Sequence, residues 1–356
     1  MTVQDVAREA GVSAMTVSRV INGGQNVRES TRASVMEAIE RLNYSPNAAA
    51  RMLAAGEATH IGLLYSNPSA AYLSQLLVGA LEAARRAGVR MVLEACEGTS
   101  LDEQAEVTRR FAATDVEGVI LPPPLSESIP VQTELTAAGI PVVSIAMGLP
   151  PPGSLNVRID DYAAAMTMTK HLLDLGHRNI GFIRGNPNHI ASAERYRGFV
   201  AALEEHGVSA KSISTEQGYF TFKSGIIAAE RLLARTPRPT AIFASNDDMA
   251  AAAVGVAHRR GLDVPGDISI VGFDDTAPAT MSWPELTTVR QPIADMAEAA
   301  LVLLLERIKA LRNGDTAAPE EKVLDYELIV RESSGPPPAQ AKTGAVTPIA
   351  RRKGKA

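Results

Sequence analysis

From Thr59 to about Val330 short apolar segments alternate with amphipathic ones, and the alternation runs through the chain twice. His60-Ile61-Gly62-Leu63-Leu64-Tyr65 reads as a strand, 73–88 as a helix, 90–94 as a strand, 101–113 as a helix, and 116–121 and 140–145 as strands. The pattern then restarts with a helix over 161–175, a strand over 179–183 and a helix over 193–206. Two further strands, 241–244 and 268–273, flank a helix over 248–260. Strands that are apolar throughout, separated by amphipathic helices, form parallel sheets covered on both faces. The fold class is therefore α/β, and two such lobes in one chain imply a cleft between them. The Pro- and Gly-rich segment 148–156 would be the strand that crosses from one lobe to the other.

The chain before Thr59 follows a different rule. Thr2 is placed to cap a helix, and Val3, Val6, Ala7 and Ala10 make one apolar stripe on it. Gly11 stands where that helix must stop and turn. Val12 plugs the gap between two helices, and Ser13 is the natural cap of a second one over 14–21. Val17, Val20 and Ile21 face inward and leave Ala14, Met15, Thr16, Ser18 and Arg19 outward. A helix with small and polar side chains at its start and an exposed arginine is thin enough to enter the major groove of DNA. It carries hydroxyls for phosphates and a guanidinium for a guanine edge or a phosphate. A third helix, capped by Ser30 or Thr31, has Val35, Ile39 and Leu42 as its stripe and cannot pass Pro46. Beyond it, 47–54 is helix-prone but only about two turns long, too short to be stable alone in water. It needs a partner, either a second copy of itself or a nucleic acid.

Thr16-Val17-Ser18-Arg19-Val20-Ile21-Asn22, Thr31-Arg32 and Leu42-Asn43-Tyr44-Ser45-Pro46-Asn47 together resemble the headpiece of the lactose-repressor/galactose-repressor (LacI/GalR) family of bacterial transcription regulators. The resemblance runs on to about Val330, where the chain is similar to the family's periplasmic-binding-protein-like effector core. Its carriers there are Asp160-Asp161, Leu175-Gly176-His177-Arg178-Asn179-Ile180, Glu194-Arg195-Tyr196-Arg197-Gly198-Phe199, Ala244-Ser245-Asn246-Asp247, Val271-Gly272-Phe273-Asp274-Asp275 and Leu286-Thr287-Thr288-Val289-Arg290-Gln291-Pro292.

The resemblance implies that Ala14 and Met15 read base edges and that Thr16, Ser18 and Arg19 hold phosphates and bases, with Thr2, Ser13 and Asn22 beside them at the DNA. It also implies that 47–54 folds on DNA in a dimer. Asn47, Ala50, Leu53 and Ala54 then face the duplex, and Leu53 enters the minor groove at the operator centre and kinks it. Such a wedge unstacks a base step at a cost of about a few kcal/mol, offset by wider contact with the bent duplex. Ala14 and Met15 are apolar where some relatives carry polar pairs, and they offer the kind of contact that thymine methyls accept.

In the cleft the resemblance assigns ligand contacts to Arg195, Asn246 and Asp274 and a stacking ring to Phe220, a place that Tyr219 or Phe222 takes if the loop shifts. Arg, Asn and Asp supply the planar hydrogen-bond partners that a sugar needs, and a ring supplies the flat apolar face. From the first lobe Ser66, Ala70 and Tyr72 lie just beyond the first strand. Ala70 is smaller than the side chains of several relatives, which implies a roomier pocket. Read without the resemblance, Arg195 is either a helix-surface arginine or a ligand contact. Asp247 and Asp248 either cap the following helix or touch ligand, and Asp275 reads as structural.

The 356 residues divide into a helix-turn-helix headpiece (1–45), a hinge helix and linker (46–58), a two-lobed effector-binding and dimerisation core (59–332) and a disordered basic tail (333–356). The tail has no leucine heptads, so no C-terminal helical bundle is expected. The net charge is −5, so attraction to DNA must be local. Arg8, Arg19, Arg28, Arg32, Arg41 and Arg51 all precede the core, interleaved with acids, and specificity then depends on dimerisation. No G-x-G-x-x-G follows the first strand, no P-loop and no G-x-S-x-G occurs, and the histidines are scattered, so neither an enzyme nor a cofactor is expected. Asp274 and Asp275 have no His or Cys close in sequence, so no metal is expected. Cys96 is the one cysteine, which excludes an internal disulfide; it reads as a buried small hydrophobe. No apolar run suits a membrane span and the N-terminus is a folded motif instead of a signal peptide. The expected compartment is the cytoplasm, at the nucleoid, with no membrane partner.

Three partners are expected. One is a palindromic double-stranded operator. Another is a second copy of the chain, because two recognition helices must meet two half-sites; the resemblance places its contacts around 70–87 and 274–282. The third is a small effector, and the side chains of the cleft favour a mono- or disaccharide. The expected function is a ligand-responsive repressor of carbohydrate-utilisation genes. The alternative is a corepressor-dependent regulator that stacks a purine or nucleoside on aromatic rings. A free sugar receptor would share the core but not the headpiece.

Overall fold

The computed structural model describes residues 3–21, 27–42, 59–97, 100–148, 150, 154–209, 213–315 and 320–338. They divide into two compact units, a small N-terminal one and a large one that begins at His60.

The N-terminal unit is three helices, α1 (Val3–Glu9), α2 (Ala14–Ile21) and α3 (Glu29–Arg41). Val6 and Ala7, Val17 and Val20, and Val35 and Ala38 recur at helical spacing and meet in one core. Ala10, Val12, Ile39 and Leu42 close its edge. The α1–α2 turn is made by Gly11 at φ +65°, a left-handed conformation that a Cβ would oppose. Ser13 caps α2 as expected, its Oγ accepting the Thr16 N–H at 3.2 Å. The cap expected for α3 is corrected. The Arg28 carbonyl already accepts from Thr31 and Arg32, so Ser30 and Thr31 lie inside the first turn.

The large unit contains two lobes. In the first, β1 (His60–Tyr65), α4 (Ala70–Ala87), β2 (Arg90–Ala95), α5 (Leu101–Ala112), β3 (Gly118–Leu121), a 3₁₀ turn at Leu125–Glu127, α6 (Ile129–Ala137), β4 (Val142–Ile145) and β5 (Leu155–Arg158) follow one another. A late strand, β11 (Glu320–Val323), joins them in a sheet of order β11-β5-β4-β3-β1-β2. Ile61, Leu63 and Leu64 of β1 and Val119, Ile120 and Leu121 of β3 are all buried, which is why these strands read as continuous apolar runs. The long helix α12 (Ile293–Asn313) packs on β3, β4 and β5.

The second lobe holds α7 (Asp161–Asp174), β6 (Ile180–Arg184), α8 (Ile190–Glu205), β7 (Ile213–Gln217), α9 (Phe222–Leu233), β8 (Ala241–Ala244), α10 (Asp247–Arg259), β9 (Ser269–Val271), α11 (Ala277–Met281) and β10 (Thr288–Arg290). Its sheet, of order β7-β6-β8-β9, is parallel throughout. β10 pairs antiparallel with β12 (Glu327–Ile329). The chain passes between the lobes at 159–160, 291–292 and 324–326.

Several expectations change here, among them the helix read from residue 193, which begins at Ile190, and the strand read over 268–273, which spans Ser269–Val271. α4 begins at Ala70 instead of residue 73, because the Ser69 Oγ accepts the Tyr72 N–H and its carbonyl accepts the Leu73 N–H. Leu155 and Asn156 do not cross between lobes. They open β5, in register with Val143 and Ser144 of β4, so the crossing comes later; residues 149 and 151–153 of that segment lie outside the described residues. The tail is folded through Pro338. The Ile270 N–H donates to the Ser333 carbonyl at 2.9 Å and His177 Nε2 lies 2.9 Å from the Gly335 carbonyl, which seats Ser333, fully buried, beside β9. The basic end, 339–356, lies outside the described residues. Among the described residues no helix is long and apolar enough to cross a membrane.

Candidate functional site

A cavity opens between the two lobes at the C-terminal ends of their parallel strands, where open α/β sheets place ligand sites. The first lobe contributes Asn67, Pro68 and Ser69 after β1, Tyr72 in α4, Pro123 and Glu127 after β3, and Ala146 after β4. The second contributes His189 and Ala191 after β6, Arg195 in α8, Phe220 after β7, Asn246 after β8, Asp274 after β9 and Gln291 after β10. Together they surround about 500 Å³, counting the mouth.

Arg195 is the charged centre. It lies on the buried stripe of α8 with Ser192, Gly198, Phe199, Ala202 and Leu203 and is 5% exposed, so it is not a helix-surface arginine. Nε donates to Asp161 Oδ1 at 2.7 Å, and Nη1 donates to the Ser245 carbonyl at 2.6 Å and faces Asp274 Oδ1 at 3.4 Å. The guanidinium carbon lies 3.6 Å over the Phe273 ring. Burial opposes its charge, but Asp161 and Asp274 outweigh that and raise its pKa. The same burial pushes Asp161 up, against the pull of Arg195. Asp274 is pushed up to about 7 by burial, with Arg195 and a 2.6 Å bond from Gln291 Nε2 opposing. Its backbone is held at φ +110°, a region non-glycine residues rarely occupy.

Aromatic groups make the apolar side. Phe220 is buried at φ +59° and stacks on His189 with centroids 5.4 Å apart. Gly185 makes room for it, since a Cβ there would fall inside the Phe220 ring. Tyr219 and Phe222, which the loop offered as substitutes, are half exposed and outside the lining. Tyr72 is buried and its hydroxyl has no partner, and burial pushes its pKa up. His189 Nε2 is likewise buried without a partner, and burial, helped by Arg195, holds the ring down to about 4.

Asn246 does two jobs. Its Oδ1 accepts the Met249 N–H at 3.1 Å and so caps α10, and its Nδ2 donates to the Phe220 carbonyl at 3.0 Å. The cap expected of Asp247 or Asp248 therefore belongs to Asn246. Asp247 is fully buried and accepts from the Thr276 N–H and from the Thr288 hydroxyl. Asp248 accepts the Ser69 hydroxyl at 2.6 Å from the opposite lobe. Asp275 binds Arg290 and Arg331, a structural role as read from the sequence.

The structure thus brings Tyr72, Arg195, Phe220, Asn246 and Asp274 together. Ser66 and Ala70 are not in the lining: Ala70 opens α4 with its side exposed, and Asn67, Pro68 and Ser69 take the position. Glu127, His189 and Gln291 were missed as site residues. Glu127 and His189 stand in no motif that carries the resemblance and were marked only by position after a strand or short turn, whereas Gln291 stands in the 286–292 motif that does carry it. Among the described residues no group of His, Cys, Asp and Glu could hold a metal ion.

On the N-terminal unit, Met15 is 67% exposed and Arg19 is exposed beside it, Nη2 lying 3.8 Å from the Met15 sulfur. Ser13 and Thr16 share a hydroxyl contact of 2.9 Å. Ala14 is half-buried against the core, and Thr16 is half-buried too, so α2 presents Met15 and Arg19 more fully than Ala14. Thr2, Asn22, Asn47, Ala50, Leu53 and Ala54 lie outside the described residues, as does the Ser18 side chain.

The bacterial regulatory proteins of the lacI family match residues 2–47, and a periplasmic binding protein-like domain matches 169–334. Catabolite control protein A of Priestia megaterium is 37% identical over 338 residues, covering 94% of this chain and 99% of the relative. The HTH-type transcriptional repressor PurR of Photobacterium profundum is 33% identical, covering 93% and 98%. The solved complex of the transcriptional regulator CelR with cellobiose superposes with a TM-score of 0.70 at 33% identity, covering 94% of this chain and all of the other. With relatives of this identity aligned along almost the whole of both lengths, the chain belongs to the LacI family of bacterial regulatory proteins.

Proposed function

We propose that this chain is a ligand-responsive repressor of carbohydrate-utilisation genes that leaves a palindromic operator when a mono- or disaccharide binds between its lobes. The observation that carries the reading is the buried Arg195–Asp161–Asp274 cluster facing a cavity that both lobes line. A ligand that touches both lobes binds their arrangements unequally, and that difference is what shifts an equilibrium. The likeness to a regulator solved with cellobiose supports a sugar. On DNA, α2 enters the major groove with Ala14 and Met15 at base edges and Ser13, Thr16, Ser18 and Arg19 at phosphates and bases, flanked by Thr2 and Asn22. Asn47, Ala50, Leu53 and Ala54 act at the operator centre. The working form is a homodimer in the cytoplasm, at the nucleoid. The exposed apolar side chains Val78 and Leu81 of α4, and Met281 and Trp283 at the end of α11, fall in or beside the segments where its contacts are expected.

A second reading has two observations in its favour. Tyr72 and Phe220 both present rings to the cavity, which suits stacking on a purine or nucleoside, and PurR proteins are among the relatives. In that case the ligand would strengthen operator binding. A thermal-shift screen of the full chain against sugars, nucleosides and purines tests both. A bound ligand stabilises the folded state by mass action, by about 2.7 kcal/mol at a hundredfold excess over Kd, and so raises the midpoint. Operator mobility shifts with the hit then read its sign. A sugar that weakens operator binding supports the first reading, and a purine that strengthens it replaces it with the second. Arg195→Ala should abolish the response while the headpiece still binds DNA; an unchanged response removes Arg195 from the site.

A further inference from the structure

Among the described residues that line the cleft Arg195 is the one arginine or lysine, and its charge is already paired. Arg195 gives Nε and Nη1 to Asp161, the Ser245 carbonyl and Asp274. No lysine and no second arginine is among the lining residues. His189 adds no charge, because burial keeps its ring neutral down to about pH 4. Glu127 and Asp274 face the same space as acids. The Glu127 carboxylate accepts from the backbone N–H groups of Ile190 and Gly148, and among the described residues its partners are these neutral groups.

Against this stand polar atoms that lack partners. Tyr72 Oη and His189 Nε2 are buried and unpaired. Arg195 Nε and Nη1 already make three bonds within the protein. A buried polar atom without a partner is costly, so a ligand that completes it gains the full difference. A phenol donates or accepts, a neutral imidazole nitrogen donates or accepts according to tautomer, and a guanidinium donates.

Given the regulator reading above, on which this rests, we propose that the effector is an uncharged molecule bearing both hydrogen-bond donors and acceptors and no phosphate group, selected by Tyr72 and His189. A phosphate monoester would bring up to about two negative charges. It is held best by a free guanidinium fork, and here the Nε–Nη1 side of the fork is occupied by Asp161 and the Ser245 carbonyl, while two carboxyl groups and no further arginine or lysine share the lining. An uncharged polyol, or a heterocycle with ring nitrogens and exocyclic groups, needs no cation and can satisfy both Tyr72 Oη and His189 Nε2.

The test is isothermal titration calorimetry on the full chain near neutral pH with matched compounds. These are glucose and cellobiose against glucose 6-phosphate, ribose against ribose 5-phosphate, adenosine against adenosine monophosphate, and inorganic phosphate alone. At least one neutral compound should bind, its ester should bind at least about tenfold more weakly, and inorganic phosphate should give no heat. Tyr72→Phe and His189→Ala, checked by their melting curves to be folded, should each weaken the neutral compound by about tenfold. An ester that binds as tightly as its neutral partner overturns the proposal, and so does a panel in which no neutral compound binds. Unchanged affinity in both variants overturns the selecting role of the two residues. An ester that binds and shifts operator affinity would defeat this proposal and leave the regulator reading standing. A neutral compound that binds with no effect on operator affinity would do the reverse.

Discussion

Glu127 of the first lobe accepts the backbone N–H of Ile190, the first residue of α8 in the second lobe, at 2.9 Å to one carboxylate oxygen and 3.2 Å to the other. His189, the residue before α8, makes no side-chain cap. A carboxylate from across the cleft therefore satisfies an orphan donor and meets the positive end of the helix. Burial pushes the Glu127 pKa up, opposed by the bonds from Ile190 and Gly148. Ser69 with Asp248, and Gln75 with the Asp275 carbonyl, tie the same two lobes.

Glu127→Ala removes the cap and an interlobe contact in one step. It should cost about 1 kcal/mol of stability and let the two lobes move apart more readily. Thermal unfolding reads the first effect and small-angle X-ray scattering the second. An unchanged midpoint and radius of gyration would show that the contact holds nothing.

Gly185→Ala should act on ligand binding through Phe220. The added methyl would occupy the space of the ring, and overpacking of this kind costs about 1–3 kcal/mol. If Phe220 moves to relieve it, effector affinity should fall while operator affinity, which depends on the separate N-terminal unit, stays. Calorimetry and mobility shifts on the same preparation separate the two.

The pH dependence of stability should carry the mark of Asp274. A carboxyl raised by burial from 3.8 to about 7 stabilises the fold fully below 3.8, and that contribution is lost as the pH rises through about 7. Asp274→Asn should flatten the profile of urea midpoints across this window, with Asp161 and Asp247, raised in the same direction, retaining part of the slope. His189 works the other way. Its contribution is present above 6.5 and is lost as the pH falls through about 4, so His189→Ala should soften the decline on the acid side. An Asp274→Asn profile with the same slope as the wild type between 3.8 and about 7 would contradict the Asp274 assignment.

Leu53→Ala tests the DNA half. Losing an apolar wedge worth about a few kcal/mol of contact with bent DNA should weaken specific operator binding by about tenfold or more. Non-specific binding and effector affinity should be unchanged. Fluorescence anisotropy with operator and with scrambled duplex measures the ratio, and equal operator affinity removes the wedge.

Much of the architecture was legible in the sequence because it is local. His60–Tyr65, Ala14–Ile21 and Ala241–Ala244 occupy the spans read from their apolar runs, since strand and helix periods are properties of neighbours in the chain. Gly11 and Ser13 were legible for the same reason. Helix starts were less so. Whether Ser69 or a later residue begins α4, and whether Arg28 or Ser30 begins α3, depends on which carbonyl and hydroxyl the folded chain offers.

By itself the sequence determined the class of fold, the N-terminal helix pair, and the residue types able to bind a polar ligand. Only the tertiary structure decided which of those residues meet. Arg195 looked as much like a surface arginine as a buried one, and what buries it are Asp161, Ser245 and Asp274, 34, 50 and 79 residues away. Glu127 and His189 belong to the cleft because two separate sheets bring their strand ends to one place. Ser333 belongs to the core because β9 offers it backbone partners 63 residues earlier in the chain. Contacts at such separations depend on chain crossings and burial, which leave no period in the sequence.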